Sequence, residues 1–475
     1  MMNEWLSASP LLVVSLAAVV ALLVDALNPH SERVTYRFSL MALAIALIAA
    51  IATIPFRGVA FSSMLRTGGA PAVLDCVFAI GGILTILAAR PYIAARNFEH
   101  DEFYTLVLYS TSGMMLIAHA QHLLILFIGI EVMSLSFYVL AGYFRQTISS
   151  VEGALKYFLL GAFATGFFVF GIALVYSATG SLDFGGISNA ITSQSLVLPG
   201  LLPIGIALII VGLGFKVAVF PFHQWAPDVY DGAPTVVAGF MSTAGKAAAL
   251  GAFIPLVLDI VPFKEQSIQT VLALSAAGTI IIGNVAAVVQ RRIKRMLAYS
   301  SVAHAGYMLI GLAAANHRGL SAVIFYAVAY LFMQIGAFVV LAMLERDVER
   351  SVELDDCAGL ATQHPALAAA MALFMFSLAG IPPMAGFFGK YYLFTAAIEA
   401  GYTWLAIIGV LGSMVSVYYY IGVVVQMYFK EATAAPPTVD PTSVKRFPLV
   451  VSAVAVIVLG IVPSMLESLL SSFWK

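Results

Sequence analysis

Long apolar runs separated by short polar turns fill this sequence from end to end. A helix needs about 20 apolar residues to cross a hydrocarbon core. On that rule the chain divides into segments near 10–27, 36–55, 74–90, 104–119, 122–143, 153–177, 201–222, 234–256, 267–290, 296–315, 319–344, 366–395, 402–429 and 447–468. The pattern predicts an all-α polytopic membrane protein of about fourteen transmembrane helices. The fourth and fifth segments meet tightly at AHAQHLL, and the run from 366 is longer than one span requires. The stretches 178–200, 345–365 and 430–446 mix charges, Gly, Pro or Ser without sustained apolar periodicity and read as loops. No soluble domain is expected.

Composition removes the alternatives to a membrane protein. The 475 residues are 61% hydrophobic and 10% charged, with a mean hydropathy of +0.99, outside the range of water-soluble domains. A net charge of −1 excludes the basic balance that nucleic-acid binding needs. Cys76 and Cys357 lie far apart and form no C-x-x-C, which leaves a metal cluster or disulfide framework without support. The opening MMNEWLSASPLLVV lacks a basic n-region, so the first apolar run reads as a retained span.

Lys and Arg are retained on the cytoplasmic side of a membrane. One face receives Arg33, Arg37, Arg90, Arg96, Arg145, Arg291, Arg292, Lys294, Arg295, Arg346, Arg350, Lys430, Lys445 and Arg446; the other receives Arg57, Arg66, Lys264, Arg318 and Lys475. Both termini are therefore expected on the outer side. Four lysines remain inside spans: Lys156, Lys216, Lys246 and Lys390.

A lysine at the centre of a span costs roughly 3 kcal/mol on insertion scales. The plain reading is that each snorkels to an interface or sits in a static ion pair. For Lys156, near its helix start beside Glu152, that reading and a place in a proton path stand level, so Lys156 remains a candidate site residue with the other three. Lys216 and Lys246 lie too deep for snorkelling, and Lys390 follows GIPPMAGFFGK, where Pro382, Pro383 and two glycines break the span. A broken helix at membrane depth lines a wet cavity or is re-satisfied by its neighbours. Glu131, in FIGIEVMSLSFYVL, reads as the only acid deep in a span. A lysine within ~6 Å at an effective dielectric of ~20 is worth about 3 kcal/mol to it, and Lys216 is the expected partner. His304, in YSSVAHAGYM, is either a bridge between two such sites or a hydrogen-bonded core histidine among Ser300, Ser301 and Tyr307. His119, His122 and His223 fall at turns, where hydrogen bonding is expected rather than ligation.

The breaks also suggest a repeat. If 104–256 and 267–429 are two five-helix units between an N-terminal part, 1–103, and a last helix, 447–475, the interrupted helices with Lys216 and Lys390 each come fourth. An odd number of helices per unit inverts the second unit, the plan of secondary transporters.

The stretches GLGFKVAVFPFHQWAPDVYDGAPT, STAGKAAAL, RRIKRMLAYSSVAHAGYML and LAGIPPMAGFFGKYYLF closely resemble the antiporter-like subunits of respiratory complex I. Among these, the chain is most similar to the subunit N type of bacterial NADH–quinone oxidoreductase. Subunit M has a glutamate where this chain has Lys390, and subunit L carries a lateral helix for which the chain has no room. Val236 departs from the pattern, where a second proline is expected after GAPT.

The resemblance implies fourteen helices with two inverted units, helices seven and twelve broken, and a proton path over Glu131, Lys216, Lys246 and Lys390. In that path Glu131 poises Lys216, Lys246 relays and Lys390 exchanges with the outer side. It implies the bacterial inner membrane, neighbouring membrane subunits as partners, and no cofactor in this chain. No glycine loop for nucleotides, cysteine cluster or haem pair is present, so NADH, FMN, iron–sulfur and quinone chemistry is expected in partner subunits. The rival readings are an autonomous cation/proton antiporter and a passive membrane scaffold.

Overall fold

The computed structural model describes residues 2–28, 32–260, 266–345, 351–431, 444 and 446–474. In chain order the main helices are α1 Ser9–Leu27, α2 Glu32–Thr53, α3 Gly69–Ala94, α4 Glu102–His119, α5 Leu123–Ala141 and α6 Ile148–Thr179. They continue as α7 Leu201–Val217, α8 Trp225–Gly232, α9 Thr235–Leu258, α10 Gln266–Val288, α11 Ile293–Ala313 and α12 His317–Leu344. The last are α13 Pro365–Ala379, α14 Ala385–Glu399, α15 Thr403–Phe429, α16 Arg446–Ile461 and α17 Pro463–Ser471.

Helix occupies every segment expected from the apolar runs. Among the described residues, ten helices are long and apolar enough to cross a membrane, or up to eleven if Arg446–Ile461 and Pro463–Trp474 are one span bent by 75°. Three segments are broken or bent. The seventh stops at Val217, where Ala218 turns left-handed with φ 62. The over-long run from 366 is two helices, α13 and α14, separated where Gly380 takes φ 86 ahead of Pro382 and Pro383. The last bends before Pro463, which has no amide hydrogen to continue the ladder of α16.

The stretches read as loops hold short structure. Phe184–Thr192 is a helix whose Asp183 cap accepts from Gly186 N at 2.9 Å, and Leu360–Gln363 is a single turn. Most of 430–446 lies outside the described residues. Strands β1 Gly58–Ala60 and β2 Leu65–Thr67 form a small antiparallel hairpin between α2 and α3.

Burial divides the helices into two kinds. α9, α11 and α12 are covered almost all round, whereas α6 and α15 leave most of their apolar surface outward, as expected of a core and a lipid-facing periphery. Small residues let neighbours close up: a Cβ on Gly171 of α6 would lie 2.7 Å from Gly205 O of α7. Lys246 lies on one of these buried helices, α9, and Lys216 and Lys390 are buried on α7 and α14.

Candidate functional site

Ending α7 inside the protein leaves carbonyls without helical partners. Ala218 N and the Trp225 indole both donate to Phe215 O at 3.0 Å. Lys216 sits in that last turn, 7% exposed, at the negative end of the helix dipole. Its Nζ donates to Tyr138 Oη at 3.2 Å and lies 5.5 Å from the Tyr138 ring centroid.

Glu131, the expected charge partner of Lys216, makes no ion pair with it within 4.0 Å among the described residues. Its Oε1 accepts from Thr165 Oγ1 at 2.8 Å, and the side chain is only half-buried on α5. Tyr138, two turns along α5 from Glu131, takes the lysine instead, while the charge of Glu131 still acts through space on both Lys216 and Tyr138.

Lys246 follows a π-turn, Met241–Gly245, in α9, a local widening that often marks functional positions. Its Nζ, 1% exposed as a residue, donates to Ser301 O and Ser301 Oγ, each at 2.6 Å. One turn further along α11, His304 contacts Tyr326 Oη through Nδ1 at 2.7 Å and Tyr420 Oη through Nε2 at 2.9 Å. His304 is thus both a hydrogen-bonded core histidine and a group within the fields of Lys246 and Lys390. Its bonded partners are tyrosines, not the serines and Tyr307 expected from sequence; Tyr307 stands edge-on to its ring at 5.6 Å.

Lys390 completes the line. Its Nζ donates to Leu378 O and Ala379 O at 3.0 Å each and to Ser413 Oγ at 2.8 Å, and it lies 4.9 Å from the centroid of Tyr307. The break before α14 supplies those two carbonyls, because the end of α13 leaves them without helical donors.

The partners have one chemical property in common. Among the described residues no carboxylate lies within 4.0 Å of Lys216, Lys246 or Lys390. Each ammonium instead meets a hydroxyl: Tyr138, Ser301 or Ser413. A hydroxyl accepts from an ammonium and donates to a free amine. Either protonation state therefore keeps a hydrogen bond, and a proton can leave without stranding a buried group.

Other buried polar clusters lack that property. His119 contacts Arg66 O at 2.6 Å and Asp75 Oδ2 at 2.8 Å, with Asp75 fully buried. Arg66 O only accepts, so Nδ1 carries a hydrogen, and the Nε2–Asp75 contact must hold a further proton. Removing it would set two lone pairs against each other, which makes this pair a lock between α3 and α4. Asp75 is a buried acid that sequence reasoning did not single out; the signal was an Asp and a His at facing ends of neighbouring segments.

Lys294, read as a loop cation, is 5% exposed; its Nζ donates to Ala233 O at 2.6 Å and lies 3.9 Å from Glu345 Oε1. Tyr92 and Thr235 donate to Glu345 Oε2 at 2.5 and 2.8 Å, so Glu345 is held in the same fixed manner.

Lys156 is not brought to the line. Its side chain is 43% exposed and pairs with Glu152 at 2.7 Å and Asp228 at 2.9 Å. Arg295 meets the other oxygen of Asp228 at 2.9 Å, and Arg292 meets Asp231 at 3.2 Å. Burial alone would raise the Asp228 carboxyl; the hydrogen bonds from Lys156 and Arg295 outweigh it and hold the group below the usual carboxylate range. His122 Nδ1 accepts from Leu124 N at 3.2 Å, as expected at a turn, while His223 Nδ1 has no partner among the described residues.

Residues 120–416, which contain every lysine of the line, match the family described as NADH:quinone oxidoreductase/Mrp antiporter, TM. NADH-quinone oxidoreductase subunit N 1 of Chloroherpeton thalassium is 43% identical over 472 residues, covering 98% of this chain and 97% of its own. A chain in the structure of respiratory complex I from Thermus thermophilus with bound aureothin superposes with a TM-score of 0.82 at 35% identity, covering 97% of this chain and 98% of its own. A chain of the Mrp complex from Dietzia sp. DQ12-45-1b shares the fold, with a TM-score of 0.87 at 21% identity over 100% of this chain and 97% of its own.

Proposed function

The chain belongs to the subunit N family of NADH–quinone oxidoreductases, and from that premise we propose that its buried lysine line carries protons across the bilayer, driven by redox chemistry in partner subunits. Glu131, Lys216, Lys246, His304 and Lys390 are its working groups. One observation carries the reading: three buried lysines are held by hydroxyls and backbone carbonyls with no carboxylate within 4.0 Å among the described residues, and a histidine lies within the fields of two of them.

The roles follow from chemistry. Lys216 exchanges its proton across Tyr138 under the field of Glu131, so moving or neutralising that charge shifts whether the lysine keeps it. Lys246 passes a proton through Ser301, and His304 with its two tyrosines links it to Lys390. Lys390 gives up its proton beside the carbonyl end of α13. Moving one proton against ~150 mV requires about 3.5 kcal/mol, within reach of a single charge displaced near a buried amine. Lys156 belongs to the surface clamp and not to the line.

The same reading includes fourteen crossings and two inverted five-helix units, 104–256 and 267–429, whose fourth helices are the broken ones. Lys216 precedes its break and Lys390 follows its own. The basic end is placed in the cytoplasm and both termini outside, in a bacterial plasma membrane. The chain works as a subunit of the proton-pumping enzyme beside other membrane subunits; NADH, FMN, iron–sulfur clusters and quinone belong to its partners.

The test is redox-driven acidification of sealed vesicles holding the assembled complex. Lys390→Met should abolish the proton translocation that depends on this chain while the complex still assembles. Unchanged protons per electron would refute the reading. Cation/proton exchange by the chain alone, without redox substrate, would establish an autonomous antiporter instead.

A further inference from the structure

Buried polar atoms in a folded protein find hydrogen-bond partners, and exceptions call for an explanation. Two exceptions lie one turn apart on α12. Gln334 is 0% exposed; its Nε2 donates to Leu297 O at 3.3 Å, but Oε1 has no partner among the described residues. Tyr330 is 1% exposed, and its hydroxyl lies beside Ser301 without forming a hydrogen bond of ordinary geometry. Residues four apart share a helix face. Both groups therefore look toward α11, Gln334 at Leu297 and Tyr330 one turn further along at Ser301, the residue that holds Lys246.

The surroundings give this place a direction. On α9, beyond Lys246 toward the end opposite the basic one, the chain reads AAALGAFIPLVL, with no polar side chain. Toward the basic end, Gln334 touches Leu297, Lys294 lies one turn before Leu297, and Tyr230 of α8 acts on Tyr330. An orphaned amide oxygen and an orphaned phenol beside a serine form a polar, enclosed position with several groups able to bind one water molecule.

We propose that Gln334 and Tyr330 hold internal water beside Ser301, and that this water is the proton inlet of Lys246 from the basic end. The water donates to Gln334 Oε1 and shares hydrogen bonds with Tyr330 Oη and Ser301 Oγ. When Lys246 is a free amine, it takes a proton through Ser301; the water is restored by a proton arriving from the basic face. One proton arrives and one is delivered, so no charge stays on the water. Gln334 itself remains a neutral amide throughout and acts as a positioning residue.

This inference rests on the reading that the lysines carry protons, and the experiment separates the two. The assembled complex is reconstituted in vesicles as wild type, Lys246→Met, Gln334→Leu, Gln334→Glu and Tyr330→Phe, and protons moved per electron are measured. Gln334→Leu should lower translocation at least about tenfold with assembly intact. Gln334→Glu, which keeps an acceptor at the same reach, should recover much of it. Tyr330→Phe should fall between them and add little to Gln334→Leu.

If Lys246→Met pumps normally, the carrier reading itself fails. If Lys246→Met is inactive but Gln334→Leu pumps fully, only the inlet is overturned. Should Gln334→Leu fail to assemble, a high-resolution density map of the wild-type complex decides. Ordered water density between Gln334 Oε1 and Tyr330 Oη supports the inlet, and a dry gap overturns it.

Discussion

The ammonium of Lys390 rests 3.0 Å from the carbonyl oxygen of Ala379, the last residue of α13. The break in the helix and the lysine beyond it are therefore one device: the interrupted helix leaves carbonyls unused, and the lysine binds there. Gly380 makes the turn between them at φ 86, and a Cβ there would lie 3.1 Å from Lys390 Cδ and 3.2 Å from Nζ.

Gly380→Ala should accordingly disturb proton transfer without removing any titratable group. Left-handed geometry costs an L-residue roughly 1–2 kcal/mol, and the new methyl pushes Lys390 off its carbonyls. The expected result is a fall of about tenfold in the pumping rate, the equivalent of about 1.4 kcal/mol, with assembly retained. A pumping assay beside a native gel checks both.

Glu131→Gln tests action through space. The amide keeps an acceptor for Thr165 Oγ1, so packing should survive and the complex should assemble. What is lost is a unit charge that acts through space on Lys216. Redox-driven acidification should drop at least about tenfold, and normal acidification would assign Glu131 a structural role alone.

Asp228→Asn addresses the clamp between α6 and α11. The carboxyl is held below its ordinary value of 3.8 by Lys156 and Arg295. Its contribution to stability is therefore present above about pH 4 and is lost as pH falls through the depressed value. The variant should melt at a lower temperature than wild type at pH 7, and the difference should shrink only once the pH falls below about 4. Melting curves in detergent at the two pH values provide the check.

The isolated polypeptide should bind no flavin, haem or iron–sulfur cluster and should not oxidise NADH. Among the described residues no group of three or more His, Cys, Asp or Glu side chains is arranged to hold a metal ion. Absorbance spectra and metal analysis of the purified chain test this; a stoichiometric chromophore would contradict it.

The depth of Lys216, Lys246 and Lys390 was legible in the sequence because a charge in the middle of an apolar run has no inexpensive alternative. The breaks at Pro221 and at Pro382–Pro383 were legible for a similar reason, since proline cannot donate to a helix ladder. Contacts between helices were not. Tyr138 as the partner of Lys216, Tyr326 and Tyr420 around His304, and the Asp75–His119 lock all join residues 22 to 116 positions apart. A tyrosine in an apolar segment looks like ordinary packing until its hydroxyl is located. The π-turn before Lys246 lies in a run of small residues, MSTAG, whose pattern fits a plain helix equally well.

The measurement that bears most directly on the central claim is protons translocated per electron by the assembled complex carrying Lys216→Arg, with Lys216→Met beside it. Arginine keeps a positive charge and can still donate to Tyr138 Oη, yet with a pKa above about 12 it hardly ever releases its proton. Assembly and quinone-reductase rate are followed in the same preparations, because a guanidinium too large for its place would show there first. If Lys216 gives up its proton during turnover, both variants assemble and both lose the translocation that depends on this chain. Full translocation by the arginine variant would contradict the account and leave Lys216 as a fixed charge at the end of a broken helix.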